Sequence, residues 1–197
     1  STTYYGAKRS DLQKVLTQIN KLDIDGVEIG STHTYKTKKD LEELFRKFKG
    51  KDLFIHNFFP PKKNENFVLN IASREKKIRD QSVDFIIESI GFSKKVGAKL
   101  YTFHPGFLSD AQPNMILKNK NYDFKFNDKV SGKKVANQML IKSLRKIINH
   151  SKAKKMKIAL ETEGSRLKYN YLMMQRPNEF VELFRIFPNN LFINLNI

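Results

Sequence analysis

Three strand-like runs of this chain end on a residue that can hold a metal ion. Asp52-Leu53-Phe54-Ile55 runs into His56, Ala98-Lys99-Leu100-Tyr101-Thr102-Phe103 into His104, and Lys157-Ile158-Ala159-Leu160 into Glu161. Between the runs the apolar residues recur with helical spacing. Strand, helix, strand with no hairpin signal argues for a parallel sheet with right-handed crossovers. The expected fold class is therefore α/β, with the three ligand-type residues at the carboxyl ends of different strands.

The remaining elements continue the alternation. Ser10-Asp11-Leu12-Gln13 has the spacing of a capping box, and Leu12, Val15, Leu16 and Ile19 share one helical face. Gly26-Val27-Glu28-Ile29-Gly30 reads as a short strand. Thr37 is expected to cap a helix with Leu41, Leu44, Phe45 and Phe48 on one face, stopped by Gly50. A long helix from about Ser73 carries Ile78, Phe85, Ile86, Ile90 and Val96 and ends at Gly97. A long loop from His104 to about Gly132 precedes a helix with Ala136, Leu140, Leu144, Ile147 and Ile148. Pro177 suits the first turn of a last helix bearing Phe180, Leu183, Phe184 and Phe187, and 191–197 reads as a final strand.

Loop lengths and strand parity sharpen the picture. Links from helix to strand are short (23–25, 49–51, 97–98), whereas the loops after His56, His104 and Glu161 are long. One face thus carries all the elaborate loops, as in a β/α barrel, although an open doubly wound sheet shares this asymmetry. Along each strand one alternate set is apolar: Val27 and Ile29, Leu53 and Ile55, Tyr101 and Phe103, Ile158 and Leu160, Ile193, Leu195 and Ile197. These are expected to face outer helices. The other set is smaller or polar: Glu28, Phe54, His56, Thr102, His104, Ala159, Glu161, Glu163, Asn194 and Asn196. A polar interior is costly unless it binds something, and every candidate ligand falls in that set. The side chains of His56, His104 and Glu161 are expected to converge within roughly 4–8 Å.

Imidazole nitrogen with carboxylate oxygen suits Zn, Mn, Fe or Co. Such a cation can polarise a sugar carbonyl and its neighbouring hydroxyl while a carboxylate moves a proton between adjacent carbons through an enediolate, or it can activate water against a phosphodiester. Glu161 and His104 are the expected catalytic residues. His33, in the loop after the second strand, and Glu163 are candidate substrate contacts. Phe58, with Phe59, Pro60 and Pro61, forms either a stacking wall for a sugar or a packed loop. Glu28 is inward and divided between structural and functional use; His150 suits a helix end as a surface imidazole.

These residues resemble motifs of the xylose isomerase-like TIM barrel superfamily, which includes sugar and sugar-phosphate isomerases and epimerases and endonuclease IV. Ile55-His56-Asn57, Asn70-Ile71-Ala72-Ser73, Phe103-His104-Pro105-Gly106 and Leu160-Glu161-Thr162 are similar to its third, fourth and fifth strand motifs. The FHPG tetrad with the upstream IAS segment resembles endonuclease IV; the Phe-Phe-Pro-Pro loop resembles the sugar isomerase/epimerase barrels. The resemblance implies a TIM (β/α)8 barrel with His56, His104 and Glu161 as metal ligands and Zn, Mn or Co as cofactor. It also places Asn196 where the family carries a metal-binding Asp on its sixth strand. Ser1-Thr2-Thr3 resembles the end of a first strand. An eight-stranded barrel runs to about 250 residues, so residues 1–197 are expected to form a single truncated domain holding about strands 1 to 6.

Composition bears on partners. The net charge is +17, but only 8 of the 37 basic residues are Arg, the side chain suited to bidentate phosphate contact. The charge is better explained as a solvated surface, and specific nucleic acid binding is not expected. No apolar stretch approaches membrane-spanning length, and cysteine is absent, which fits the cytoplasm. The leading expectation is a metal-dependent isomerase or epimerase for a small sugar or sugar phosphate. The alternatives are an abasic-site endonuclease and a non-catalytic barrel fragment.

Overall fold

The computed structural model describes residues 1–2, 10–31, 33–63, 67–113, 124–162 and 171–195. The elements run α1 (Leu12–Ile19), β1 (Gly26–Ile29), α2 (Lys38–Lys47), β2 (Asp52–His56), α3 (Lys76–Lys95), β3 (Leu100–Phe103), β4 (Ser109–Pro113), β5 (Phe124–Val130), α4 (Lys133–Lys154), β6 (Lys157–Glu161), α5 (Pro177–Ile186) and β7 (Phe192–Asn194). Strands β1-β2-β3-β6-β7 form one sheet in that order, every pair parallel. The architecture is thus the expected α/β crossover fold.

Local chemistry explains where the helices begin. The Thr37 hydroxyl accepts from the Asp40 amide at 3.2 Å, as a cap should. The Glu179 carboxylate reaches back to accept from the Gln175 and Arg176 amides at 2.8 and 3.0 Å, and Pro177 occupies the first turn of α5. For α1 the cap is Asp11, which accepts from Gln13 N at 2.8 Å, and not Ser10. The Ser10 hydroxyl is instead engaged with His33.

The apolar parity set is buried, as expected: Ile29, Ile55, Tyr101, Phe103 and Leu160 have no exposed surface. They form one core with Ile86 and Ile90 of α3 and Leu140 and Leu144 of α4, and these two helices pack against each other. The set fails at β7. Ile193 is 38 % and Leu195 68 % exposed, at the β7 edge of the sheet.

A second difference lies after His104, where a long loop was expected. The described part is an antiparallel hairpin arm, with Ser109 opposite Val130, Ala111 opposite Phe126 and Pro113 opposite Phe124. The side chains of Lys125, Asn127, Lys129 and Val130 on β5 are exposed and β4 is largely polar, so hydrophobic alternation gave no signal. Phe126 supplies the anchor, 5.3 Å from the Phe107 ring and stacked on Tyr171 at 4.8 Å. At the amino end, Ser1 and Thr2 do not join the sheet and Thr3 lies outside the described residues.

Candidate metal centre

Parallel register determines which side chains meet. His56 of β2 is paired with Thr102 of β3, and Thr102 with Ala159 of β6. Registered residues point to the same face, and so do residues two apart on a strand. His104 and Glu161, each two positions beyond that row, therefore share the face of His56. One donor atom from each of His56, His104 and Glu161 lies within 4.8 Å of the others. The two imidazole rings sit edge to face with centroids 5.1 Å apart.

His56 Nδ1 lies 3.1 Å from Glu161 Oε2, with Thr102 Oγ1 2.8 Å from the same nitrogen. Two donors about 2.1 Å from one ion, at near-tetrahedral angles, are about 3.1–3.4 Å apart. The spacing therefore suits a shared cation, and in its absence a proton on Nδ1 bridges the pair. Burial pushes the His56 pKa down to about 3, and repulsion from His104 adds to the effect. The Glu161 carboxylate pulls the other way, but the imidazole is held neutral, the form that binds metal. An amide from β7 completes the edge: Asn194 Nδ2 approaches Glu161 Oε2 at a long 3.5 Å. Asn57 Oδ1, on the residue after His56, is buried without a hydrogen-bond partner among the described residues.

The other sequence candidates fare differently. His33 is buried, with Nε2 2.8 Å from Thr2 Oγ1 and Nδ1 3.1 Å from Ser10 Oγ. Burial lowers its pKa, and both nitrogens are occupied in tying the amino-terminal segment to the loop after β1. Phe58 is no open wall: it stacks on Phe85 at 4.4 Å and meets Phe67 edge-on at 5.2 Å. His150 lies four residues before the carboxyl end of α4, and its pKa is lowered by burial and then by Lys154. Glu28 faces inward on β1 without joining the cluster. Asn196 and Glu163 lie outside the described residues. Sequence reasoning missed Asn194 as the neighbour of Glu161, although its inward parity was legible. A cavity of about 580 Å³ lined by Tyr35, Lys38, Pro60, Lys62, Phe85 and Glu88 contains none of the three donors.

The family described as xylose isomerase-like TIM barrel matches residues 16–197. Among solved structures, a D-tagatose 3-epimerase-like protein is 20 % identical with a TM-score of 0.65, over 94 % of this chain and 61 % of its own. D-psicose 3-epimerase of Clostridium cellulolyticum H10 is 17 % identical with a TM-score of 0.66, over 95 % and 58 %. The 3-keto-D-glucoside 4-epimerase of E. coli is 12 % identical with a TM-score of 0.66, over 95 % and 64 %. At these identities the likeness establishes the fold, and the chain spans about 60 % of the length of these structures. No curated protein matches the chain significantly. No helix among the described residues is long and apolar enough to cross a membrane.

Proposed function

The chain belongs to the xylose isomerase-like TIM barrel family, and from that premise we propose that it is a divalent-cation-dependent isomerase or epimerase of a small sugar or sugar phosphate. The observation that carries the reading is the convergence of His56, His104 and Glu161 donors within 4.8 Å at the carboxyl ends of three parallel strands. Two imidazole nitrogens and a carboxylate favour Zn, Mn or Co over harder ions. When bound, the ion supplies Lewis-acid polarisation of a carbonyl and the adjacent hydroxyl.

The chain's own residues divide the remaining work. His56 is kept neutral by burial and oriented by Thr102. His104 approaches from the neighbouring strand and closes the cluster. The second oxygen of Glu161 takes a proton from the carbon next to the substrate carbonyl and delivers it to the former carbonyl carbon, as the adjacent hydroxyl gives its proton to the carbonyl oxygen and becomes the new carbonyl. Glu163, two residues beyond Glu161 in sequence, serves as a substrate contact, and Asn196 as a weak neutral ligand in place of Asp. The fold relatives named as sugar epimerases support the substrate class. The Lys-heavy charge supports only salt-sensitive, unspecific DNA association. The lack of cysteine supports a cytoplasmic setting.

The test measures Co(II) or Zn binding by calorimetry and solvent deuterium incorporation at the carbon beside the carbonyl of a ketose. Micromolar cation binding, weakened by His104→Ala, and exchange lost in Glu161→Gln are expected. Cleavage of abasic-site DNA at about 0.15 M salt, abolished by His104→Ala, would replace the sugar reading with phosphodiester hydrolysis. Failure of the wild type to bind either ion removes the cation site altogether.

A further inference from the structure

After β3 the chain turns through His104-Pro105-Gly106-Phe107, and this turn is moulded on a residue 37 positions upstream. Asn70 is 1 % exposed. Its Oδ1 accepts from Phe107 N at 2.9 Å and from Ala72 N at 3.2 Å. Its Nδ2 donates to Phe107 O at 3.2 Å and to Asp110 Oδ1 at 2.8 Å. These four bonds use both lone pairs and both N–H groups of the amide. Gripping the N–H and the C=O of one residue requires a group that accepts and donates side by side, which a carboxylate or an aliphatic chain cannot do. Gly106 completes the fit. Its φ is +103°, and a Cβ there would stand 2.5 Å from Asn70 Oδ1.

Asn70 is itself fixed. Its amide donates to Ser82 Oγ of α3 at 2.9 Å, the Ile71 carbonyl accepts from Ser143 Oγ of α4 at 2.7 Å, and Ser73 Oγ donates to Asp110 Oδ2 at 2.9 Å. His104 therefore hangs between two rigid points, strand residue Phe103 on one side and the clamped Phe107 on the other. We propose that Asn70 is the positioning residue of the cation site: its side-chain amide locks the turn that aims the His104 imidazole at His56 and Glu161. This inference rests on the cation reading above.

The experiment compares wild type, Asn70→Ala, Asn70→Asp and Ser82→Ala. The last removes the tie of Asn70 to α3 but leaves its grip on the turn. Two quantities are read: Co(II) affinity by titration, and the His104 ring resonances of the metal-free protein by NMR. Both Asn70 variants are expected to bind Co(II) about 10–100-fold more weakly and to shift or broaden the His104 resonances. Ser82→Ala is expected to lose thermal stability while its affinity stays within about threefold of wild type. Unchanged affinity and unmoved His104 resonances in a folded Asn70→Ala overturn the proposal. So does an affinity loss in Ser82→Ala equal to that of Asn70→Ala, since the role would then be general stability. If Asn70→Ala does not fold, Asn70→Asp carries the comparison, because it keeps the shape and removes the donors. If the wild type binds no Co(II), the cation site falls, and the His104 resonances alone decide whether Asn70 aims that ring.

Discussion

Replacing His56 by Gln should flatten the acid side of the stability profile. The His56 side chain is 14 % exposed, and burial with His104 nearby brings its pKa to about 3. In the unfolded chain it titrates near 6.5. Below that value the unfolded state takes up a proton that the folded state refuses, so stability is lost as pH falls from 6.5 towards the folded value. With those two constants the loss is about 0.8 kcal/mol at pH 6 and about 2 kcal/mol at pH 5, relative to roughly pH 7.5. The Glu161 carboxylate 3.1 Å away opposes the depression, so both figures are upper values. The assay is urea unfolding in EDTA at the three pH values for wild type and His56→Gln. Subtracting the two profiles removes His33 and His150, whose pKa values are also lowered. A difference of about 1–2 kcal/mol at pH 5 is expected. Identical profiles refute the buried neutral imidazole. A wild type that gains stability on acidification refutes it more strongly, because it would mean a charged His56 paired with Glu161.

Three further substitutions test the frame around the site. Gly106→Ala should destabilise the protein by about 2–4 kcal/mol in urea unfolding, since it combines positive φ with a 2.5 Å clash. Gly91→Ala, in α3 with open space around the added Cβ, should instead stabilise by about 0.5–1 kcal/mol. Tyr101→Phe removes the hydroxyl that donates to the Asn57 carbonyl at 2.7 Å and should cost about 1–2 kcal/mol, visible as a lower thermal midpoint.

The residues that define the site were legible because period-two geometry is local. Parity alone put His56, Thr102, His104, Ala159 and Glu161 on one face and Ile55, Tyr101, Phe103 and Leu160 on the other; the second set is wholly buried, and Thr102, Ala159 and Glu161 of the first are buried as well. Alternation with helices made the sheet parallel, and the family match agrees with the strand-end motifs. The capping of α2 by Thr37 and the Pro177 start of α5 were equally local. What the chain does between the strands depended on partners far away in sequence. His33 and Phe58 are polar and aromatic loop residues that read as ligand contacts, but Thr2, Ser10, Phe67 and Phe85 take them up. The hairpin arm after His104 is held by aromatic contacts from Phe107 and Tyr171, which no pattern within β4 or β5 encodes. The grip of Asn70 on Phe107 likewise exists only once α3, α4 and β3 have packed. Residue type and alternation decide which face a side chain takes; long-range hydrogen bonding decides how far it stands from its neighbours, and the 4.8 Å cluster needs both.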